Sequence, residues 1–327
     1  MWCRQLNNNL AFYPHKMEIC CSGFQGPVLL EEFSDGEEIN WEEIIAKKRE
    51  LIKRFAQGDI LEKCKGCYEL RDGTPPPHEN AKFKKLILNH YTHCNCKCVY
   101  CARLKYYTRD FTEKPQAPEK YHLLPILKQI YNLGENVCQN SMILDFQGGD
   151  LGVLDEFEDI IKFLLENNFW DLFFTTNNIV YQPLIAQCLA IGKGKIITSV
   201  DSGCRETYQK VKKVDKFDAV IENLKKYLEI PNAAEEILVS YIVVRNINDN
   251  VEEVEKFLNL MKEIGIKRVR FEIDYNEFWG DKGKHFKVPE HYYEIFNLFN
   301  DFTAKNDMTF LYQDFTKEIL DKGGYDS

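Results

Sequence analysis

The sequence predicts an α/β protein built on a parallel sheet, and three observations predict it. Between residues 84 and 275, short strand-like runs alternate six times with amphipathic stretches. The connections are short, so right-handed crossovers place the strands side by side, as an open wound sheet or a partial (β/α)6 barrel. The flanks differ from this core: residues 1–75 are rich in cysteine, and 276–327 are rich in aromatic side chains.

In the first segment a helix is expected from Trp41 to Gln57. Ile44, Ile45, Leu51, Ile52 and Phe55 form its apolar stripe, and Gly58 stops it. Asp72-Gly73-Thr74-Pro75-Pro76-Pro77 reads as a linker, giving domains 1–75, 76–275 and 276–327. The expected core strands are Lys85–Tyr91, Met142–Phe146, Leu172–Thr175, Lys195–Val200, Ile237–Val244 and Arg268–Glu272. Helices are expected over 118–133, 154–167, 179–191, a region reaching Leu228, and 251–264 ending at Gly265. In the tail, 290–304 reads as a helix and 308–312 as a strand. Trp279, Phe286, Tyr292, Tyr293, Phe296, Phe299, Phe302 and Phe310 there read as core packing that closes the open side of the barrel.

The 327 residues carry a net charge of −9, which argues against general nucleic-acid binding. No apolar run reaches membrane-spanning length and the first residues do not read as a signal peptide, so the expected location is cytoplasmic. Thiols stay reduced there, and twelve cysteines then need a reason other than disulfides. Nine of them precede residue 102 at ligand-like spacings, which favours metal. Cys64-Lys65-Gly66-Cys67, with Cys3, Cys20 and Cys21, suits zinc or an iron–sulfur cluster, and spacing does not separate the two.

The densest cluster is His93-Cys94-Asn95-Cys96-Lys97-Cys98-Val99-Tyr100-Cys101. Cys94, Cys98 and Cys101 satisfy C-x3-C-x2-C with an aromatic residue before the last sulfur. Starting at Cys96 puts Tyr100 where the second sulfur belongs. Three thiolates on one loop can hold three irons of a cubane and leave the fourth open. Ligands of parallel α/β proteins sit at the carboxyl ends of strands. Those ends carry Gln147-Gly148-Gly149-Asp150, Thr176-Asn177-Asn178, Ser199-Val200-Asp201-Ser202-Gly203 and Arg245-Asn246. Paired glycines let a backbone approach a ligand closely, and Asp150 suits an ammonium group.

The cysteine loop and these strand ends resemble the radical S-adenosylmethionine (radical SAM) superfamily over residues 84–275. The resemblance implies a 4Fe–4S cluster on Cys94, Cys98 and Cys101. It also implies S-adenosylmethionine, cleaved by one electron to methionine and a 5′-deoxyadenosyl radical that abstracts hydrogen from a substrate. Gly148-Gly149-Asp150 corresponds to a Gly-Gly-Glu that binds the cofactor's amino group, and the backbone of Tyr100 to an adenine contact. Thr176-Asn177-Asn178 resembles a Thr-Asn-Gly. Ser199 corresponds to a ribose or carboxylate contact, with Lys212 or Arg245 supplying charge to that carboxylate. A flavodoxin- or ferredoxin-type electron donor is implied.

The first segment is similar to SPASM/twitch auxiliary-cluster domains, here placed before the core. Its hairpin strands would be 10–13 and 17–19. A second 4Fe–4S cluster is implied, with Cys3, Cys64, Cys67 and one of Cys20 and Cys21 as ligands. The expected reaction is oxidation of a small polar metabolite such as a sugar, an aminocyclitol or a nucleotide-linked one. Residues 1–75 do not look like the leader-binding module of a peptide maturase, which remains the other substrate class. Asp201 and His90 are candidate bases, and Cys204 is a candidate hydrogen donor for epimerisation or else a buried thiol. Cys96, Cys138 and Cys188 read as inert, the last two on helices. A zinc-binding interaction protein is the reading from a different class.

Overall fold

The computed structural model describes residues 1–19, 28–34, 37–65, 67, 69–74, 81–101, 121–167, 170–274 and 285–326. The chain divides into two compact units, Met1–His93 with Pro118–Phe173, and Cys94–Ala117 with Phe174–Ser327.

The first unit contains, in chain order, β1 (Trp2–Cys3), α1 (Arg4–Asn8), β2 (Asn9–Tyr13), β3 (Lys16–Glu18) and β4 (Leu29–Glu32). Then come α2 (Trp41–Ala56), β5 (Leu70–Arg71), β6 (Phe83–Leu88), α3 (Leu123–Leu133), β7 (Cys138–Phe146) and α4 (Phe157–Glu166). Strand β8 (Trp170–Thr175) runs from this unit into the next. The order β7-β6-β2-β3-β4 has β6 parallel to β7, with Leu86 opposite Leu144, and β2 parallel to β6, with Leu10 opposite Leu86. The expected hairpin exists as β2 and β3, antiparallel with Phe12 opposite Met17. It extends the core sheet beside β6 rather than standing in a separate segment, so residue 75 does not mark a break between compact units. Cys138 opens strand β7 and is not helical, because the strand begins four residues before its apolar stretch.

Helix α2 starts at the Asn40 side chain, which accepts from the Glu43 N–H at 3.2 Å. Its buried Lys48 donates to Asn7 O at 3.1 Å and Lys82 O at 3.3 Å, and its ammonium lies 4.1 Å over the Phe83 ring. That one side chain ties α2 to α1 and to the start of β6. Burial pushes its pKa down to about 7.

The second unit continues with α5 (Pro183–Ala190), β9 (Gly194–Ser199), α6 (Arg205–Lys212), α7 (Phe217–Leu228), β10 (Ile237–Val243) and α8 (Val251–Ile264). It ends with β11 (Arg268–Ile273), β12 (His285–Lys287), α9 (Glu290–Lys305), β13 (Thr309–Tyr312), α10 (Asp314–Lys322) and β14 (Gly324–Asp326). Strands β9, β10, β11 and β13 pair in parallel in that order. Of the aromatic tail, Tyr292 and Phe299 are core, whereas Tyr293, Phe296, Phe302 and Phe310 are half-buried. Phe299 lies 5.5 Å from Phe271 and 5.6 Å from Phe310. Trp279 lies outside the described residues. Along the chain, six strand–helix repeats from β6 to β11 make the α/β partial-barrel core that the periodicity predicts. Among the described residues no helix is long and apolar enough to cross a membrane.

Candidate active site

In the second unit the cysteine loop lies against the end of α6. Lys97 N–H donates to Lys212 O at 3.1 Å, Val99 N–H to Val211 O at 3.0 Å, and Cys101 N–H to Cys98 O at 3.0 Å. The first two satisfy carbonyls that the end of α6 leaves open, and the third closes a turn within the loop. Cys94 is exposed, Cys98 and Cys101 are half-buried, and Cys96 is 6% exposed. Burial therefore separates the three cysteines of the expected register from the fourth. Cys96 is nevertheless not a bystander. Its thiol bonds to Cys94 and Cys98, which, with burial, holds its own proton tightly. The same thiol lowers Cys98 to about 6, helped by the Lys212 ammonium and the Tyr100 hydroxyl against the cost of burial. A thiolate at neutral pH is the form that binds iron. The Asn177 amide nitrogen reaches Asn95 Oδ1 at 2.5 Å, Cys96 Sγ at 3.4 Å and Cys94 Sγ at 3.7 Å.

Behind the loop stands a buried polar cluster. Asp201, in the left-handed region at φ 60°, accepts at Oδ2 from Tyr100 Oη at 2.6 Å and Lys212 Nζ at 2.5 Å. At Oδ1 it accepts from the Ile242 N–H at 2.7 Å. Lys212 also donates to the Tyr100 hydroxyl, and its ammonium lies 4.9 Å over that ring. Asn248 donates to Asp201 O and to Ile242 O, both at 2.9 Å. Burial works against the Lys212 charge, but Asp201 and Cys98 outweigh it and raise its pKa. The Tyr100 pKa is pushed well up by burial and then by Asp201, so its proton stays on the hydroxyl. Asp201 joins the ends of β9 and β10 to the cysteine loop, and its carboxylate is engaged on both oxygens. That is the chemistry of a clamp rather than of an open base. The Lys212–Asp201 contact brings together two residues that the sequence presents only as separate candidates.

In the first unit the loop after β7 straps down the segment that leads into the cysteines. Gly149 N–H donates to Tyr91 O at 3.0 Å and Asp150 N–H to His93 O at 2.7 Å. Gly148 has φ 122°, and a Cβ on Gly149 would sit 1.8 Å from His93 O. The close approach that these glycines permit is to the His93 backbone. Asp150 is buried and its Oδ1 accepts from the Gly152 N–H at 2.8 Å, capping the turn that follows. His90 is buried with Nε2 3.5 Å from Glu156 Oε1. Despite burial, His90, the Leu123 N–H and His122 together hold the Glu156 carboxyl below its usual range. His90 thus has a half-buried carboxylate partner.

Ser199 ends β9 opposite Ser240, and Arg245 follows β10 on the surface. The Cys204 thiol donates to Glu253 of α8 at 3.8 Å. A Cβ on the preceding Gly203 would lie 2.1 Å from the Lys256 backbone. Cys204 is thereby held against helix α8.

Also in the first unit, β1 pairs antiparallel with β5, setting Cys3 opposite Leu70. Cys3, Cys64 and Cys67 line one cavity with Leu6, Ile19, Phe55 and Leu61. Burial pushes the Cys67 thiol up. Cys20 and Cys21 lie outside the described residues. Among the described residues, no three His, Cys, Asp or Glu converge on the position of a single ion. A cubane asks for less convergence, because each thiolate takes its own iron.

The family model of the Radical SAM superfamily matches residues 88–261. A probable GTP 3′,8-cyclase of Saccharolobus islandicus is 25% identical over 185 residues, 57% of this chain and 54% of that protein. A namesake from Saccharolobus solfataricus is 24% identical over 54% of the chain and 52% of its own. The chain thus spans about half the length of these curated relatives. Among solved structures, Streptococcus suis SuiB bound to precursor peptide SuiA superposes with a TM-score of 0.53 at 14% identity, covering 89% of this chain and 70% of that one. The protein anSMEcpe with bound AdoMet gives 0.51 at 18% identity, covering 74% and 67%. At these identities both speak for the fold.

Proposed function

The chain belongs to the radical SAM superfamily, and from that premise we propose that it oxidises a small polar metabolite with the help of a second iron–sulfur cluster in its N-terminal segment. A 4Fe–4S cluster on Cys94, Cys98 and Cys101, with S-adenosylmethionine, supplies the 5′-deoxyadenosyl radical that removes hydrogen from the substrate. The chain's own part is to prepare and hold the site. Cys98 is kept as a thiolate, the Tyr100–Asp201–Lys212 clamp fixes the loop, and Gly149 lets the backbone cross His93. In this reading Ser199, Asn177 and the Gly148–Asp150 turn meet the cofactor. Lys212 serves through the clamp, and electrons come from a flavodoxin- or ferredoxin-type donor.

The observation that carries the second cluster is the apolar cavity shared by Cys3, Cys64 and Cys67. The fourth thiolate of this reading is Cys20 or Cys21, which lie outside the described residues. An auxiliary cluster suits oxidation because it can take the electron left on the substrate radical. The Cys204 thiol is engaged by Glu253, and this reading therefore takes oxidation over epimerisation. The curated relatives, named as GTP cyclases, favour a nucleotide-like or phosphorylated metabolite over a peptide.

Anaerobically reconstituted protein should hold about eight irons, falling to about four in the Cys64→Ala/Cys67→Ala variant. A wild-type content near four would remove the second cluster. With substrate in deuterated water, oxidation gives a product two mass units lighter. Solvent deuterium at carbon would point to epimerisation instead.

A further inference from the structure

One face of the sheet in the second unit packs on helices. On β10 and β11, Tyr241 and Phe271 meet α8 and α9, with Phe257 4.9 Å from Tyr241 and Phe299 5.5 Å from Phe271. Side chains alternate along a strand, so Ser240, Ile242, Arg270 and Glu272 project from the opposite face. Ser199 shares that face, because Ser199 is opposite Ser240 and Ser240 is opposite Arg270. Two strand spacings, about 10 Å, therefore separate Arg270 from Ser199. Two residues further along, Ile242 is opposite Glu272, and its N–H donates to Asp201 of the clamp at 2.7 Å.

This face holds a donor and an acceptor side by side. Arg270 Nε donates to Ser240 Oγ at 3.1 Å and lies 2.9 Å from Glu272 Oε1. Gln313 Nε2 donates to the same Oε1 at 2.9 Å. Each of these contacts falls on Nε or on Oε1. Among the described residues, the two terminal nitrogens of Arg270 meet no acceptor and Glu272 Oε2 meets no donor. The Glu272 side chain is only 6% exposed and that of Arg270 21%, so water offers them little compensation. A guanidinium pinned through Nε keeps its outer nitrogens as a fixed fork. The pair thus asks for a ligand that accepts at one position and donates at its neighbour. A lone anion has no donor for Glu272 and would face its carboxylate, whereas two adjacent hydroxyls offer both functions.

We infer that Arg270 and Glu272 recognise the substrate by a pair of vicinal hydroxyls, carried on a sugar or cyclitol ring. Arg270 donates to the oxygen of one hydroxyl, and the other donates to Glu272 Oε2. Ser240 and Gln313 are positioning residues that hold the pair in place. The inference rests on the radical SAM reading for its substrate, and narrows a small polar metabolite to a vicinal diol. Its test does not depend on that reading, because binding is measured without reductant or S-adenosylmethionine.

Reconstituted full-length protein is titrated with myo-inositol, and with uridine against 2′,3′-dideoxyuridine, by ligand-observed saturation-transfer NMR. Binding of myo-inositol assigns a cyclitol-type ring, and binding of uridine but not of its dideoxy analogue assigns a ribose diol. For whichever probe binds, Arg270→Lys keeps the charge but loses the fork, and should weaken binding about ten-fold, the scale of one lost charge-assisted contact. Glu272→Gln should weaken it several-fold. Melting temperature and iron content are read on each variant, and the expected weakening occurs with both close to wild type. No probe binding, or uridine and dideoxyuridine binding equally without myo-inositol, overturns the inference. So does weakening only where the melting temperature falls with it, which would make the pair structural. Tighter binding in Glu272→Gln would also overturn it, since that is the response of an anion site. Failure of the wild type to form 5′-deoxyadenosine, with diol binding intact, would instead count against the radical SAM reading alone.

Discussion

At the scale of single residues, the site is held by contacts that differ in how visible they are in a sequence. The register of Cys94, Cys98 and Cys101 is legible because spacing on a short loop is a local property. That Cys96 sits between Cys94 and Cys98 and hydrogen-bonds both is not, since it depends on how the loop curls. The pairing of Asp201 with Lys212 is equally hidden, because α6 and the fold bring together residues eleven apart. Removing one member of a buried pair strands the other's charge. Lys212→Met should therefore cost about 3–5 kcal/mol of stability in denaturant unfolding. Lys212→Arg should recover much of that loss. Equal stability of Lys212→Met and wild type would mean the clamp contributes nothing. Gly149→Ala drives a methyl group into the His93 carbonyl, so it should lower both the melting temperature and the iron content.

At the scale of elements, the six strands and their helices follow from periodicity, and their order in the sheet follows from crossover chemistry. Parallel pairing of β2 with β6 could not be read, because nothing local joins Leu10 to Leu86. Strand β7 reaches back to Cys138 through Gln139, Asn140 and Ser141, a polar run that does not announce a strand. Helix α2 shows what this long-range joining demands: a lysine buried on two carbonyls and a ring. Lys48 is lowered to about 7 by burial, below its unfolded value. Between those values the unfolded chain binds more protons than the folded one, so this residue makes stability rise with pH above about 7 and penalises folding below it. Lys48→Met should be most stabilising at or below pH 7, with its advantage over wild type shrinking towards pH 10 in thermal melts. An advantage that does not vary with pH would show that burial leaves the Lys48 pKa at its unfolded value.

At the scale of the whole molecule, radical SAM chemistry was legible because strand ends, a cysteine loop and a glycine turn recur together, and the family match covers that same core. The relation of the N-terminal segment to the core was not. Composition marks it as separate, yet its hairpin joins β6, and Cys3, Cys64 and Cys67 face an apolar cavity. The central claim is that Cys94, Cys98 and Cys101 hold the cluster that cleaves S-adenosylmethionine, while Cys96 only adjusts its neighbours. The most direct test compares 5′-deoxyadenosine formed by reduced, reconstituted Cys98→Ala and Cys96→Ala proteins. The account predicts none from Cys98→Ala and substantial formation from Cys96→Ala. Cleavage retained by Cys98→Ala and lost in Cys96→Ala would contradict it.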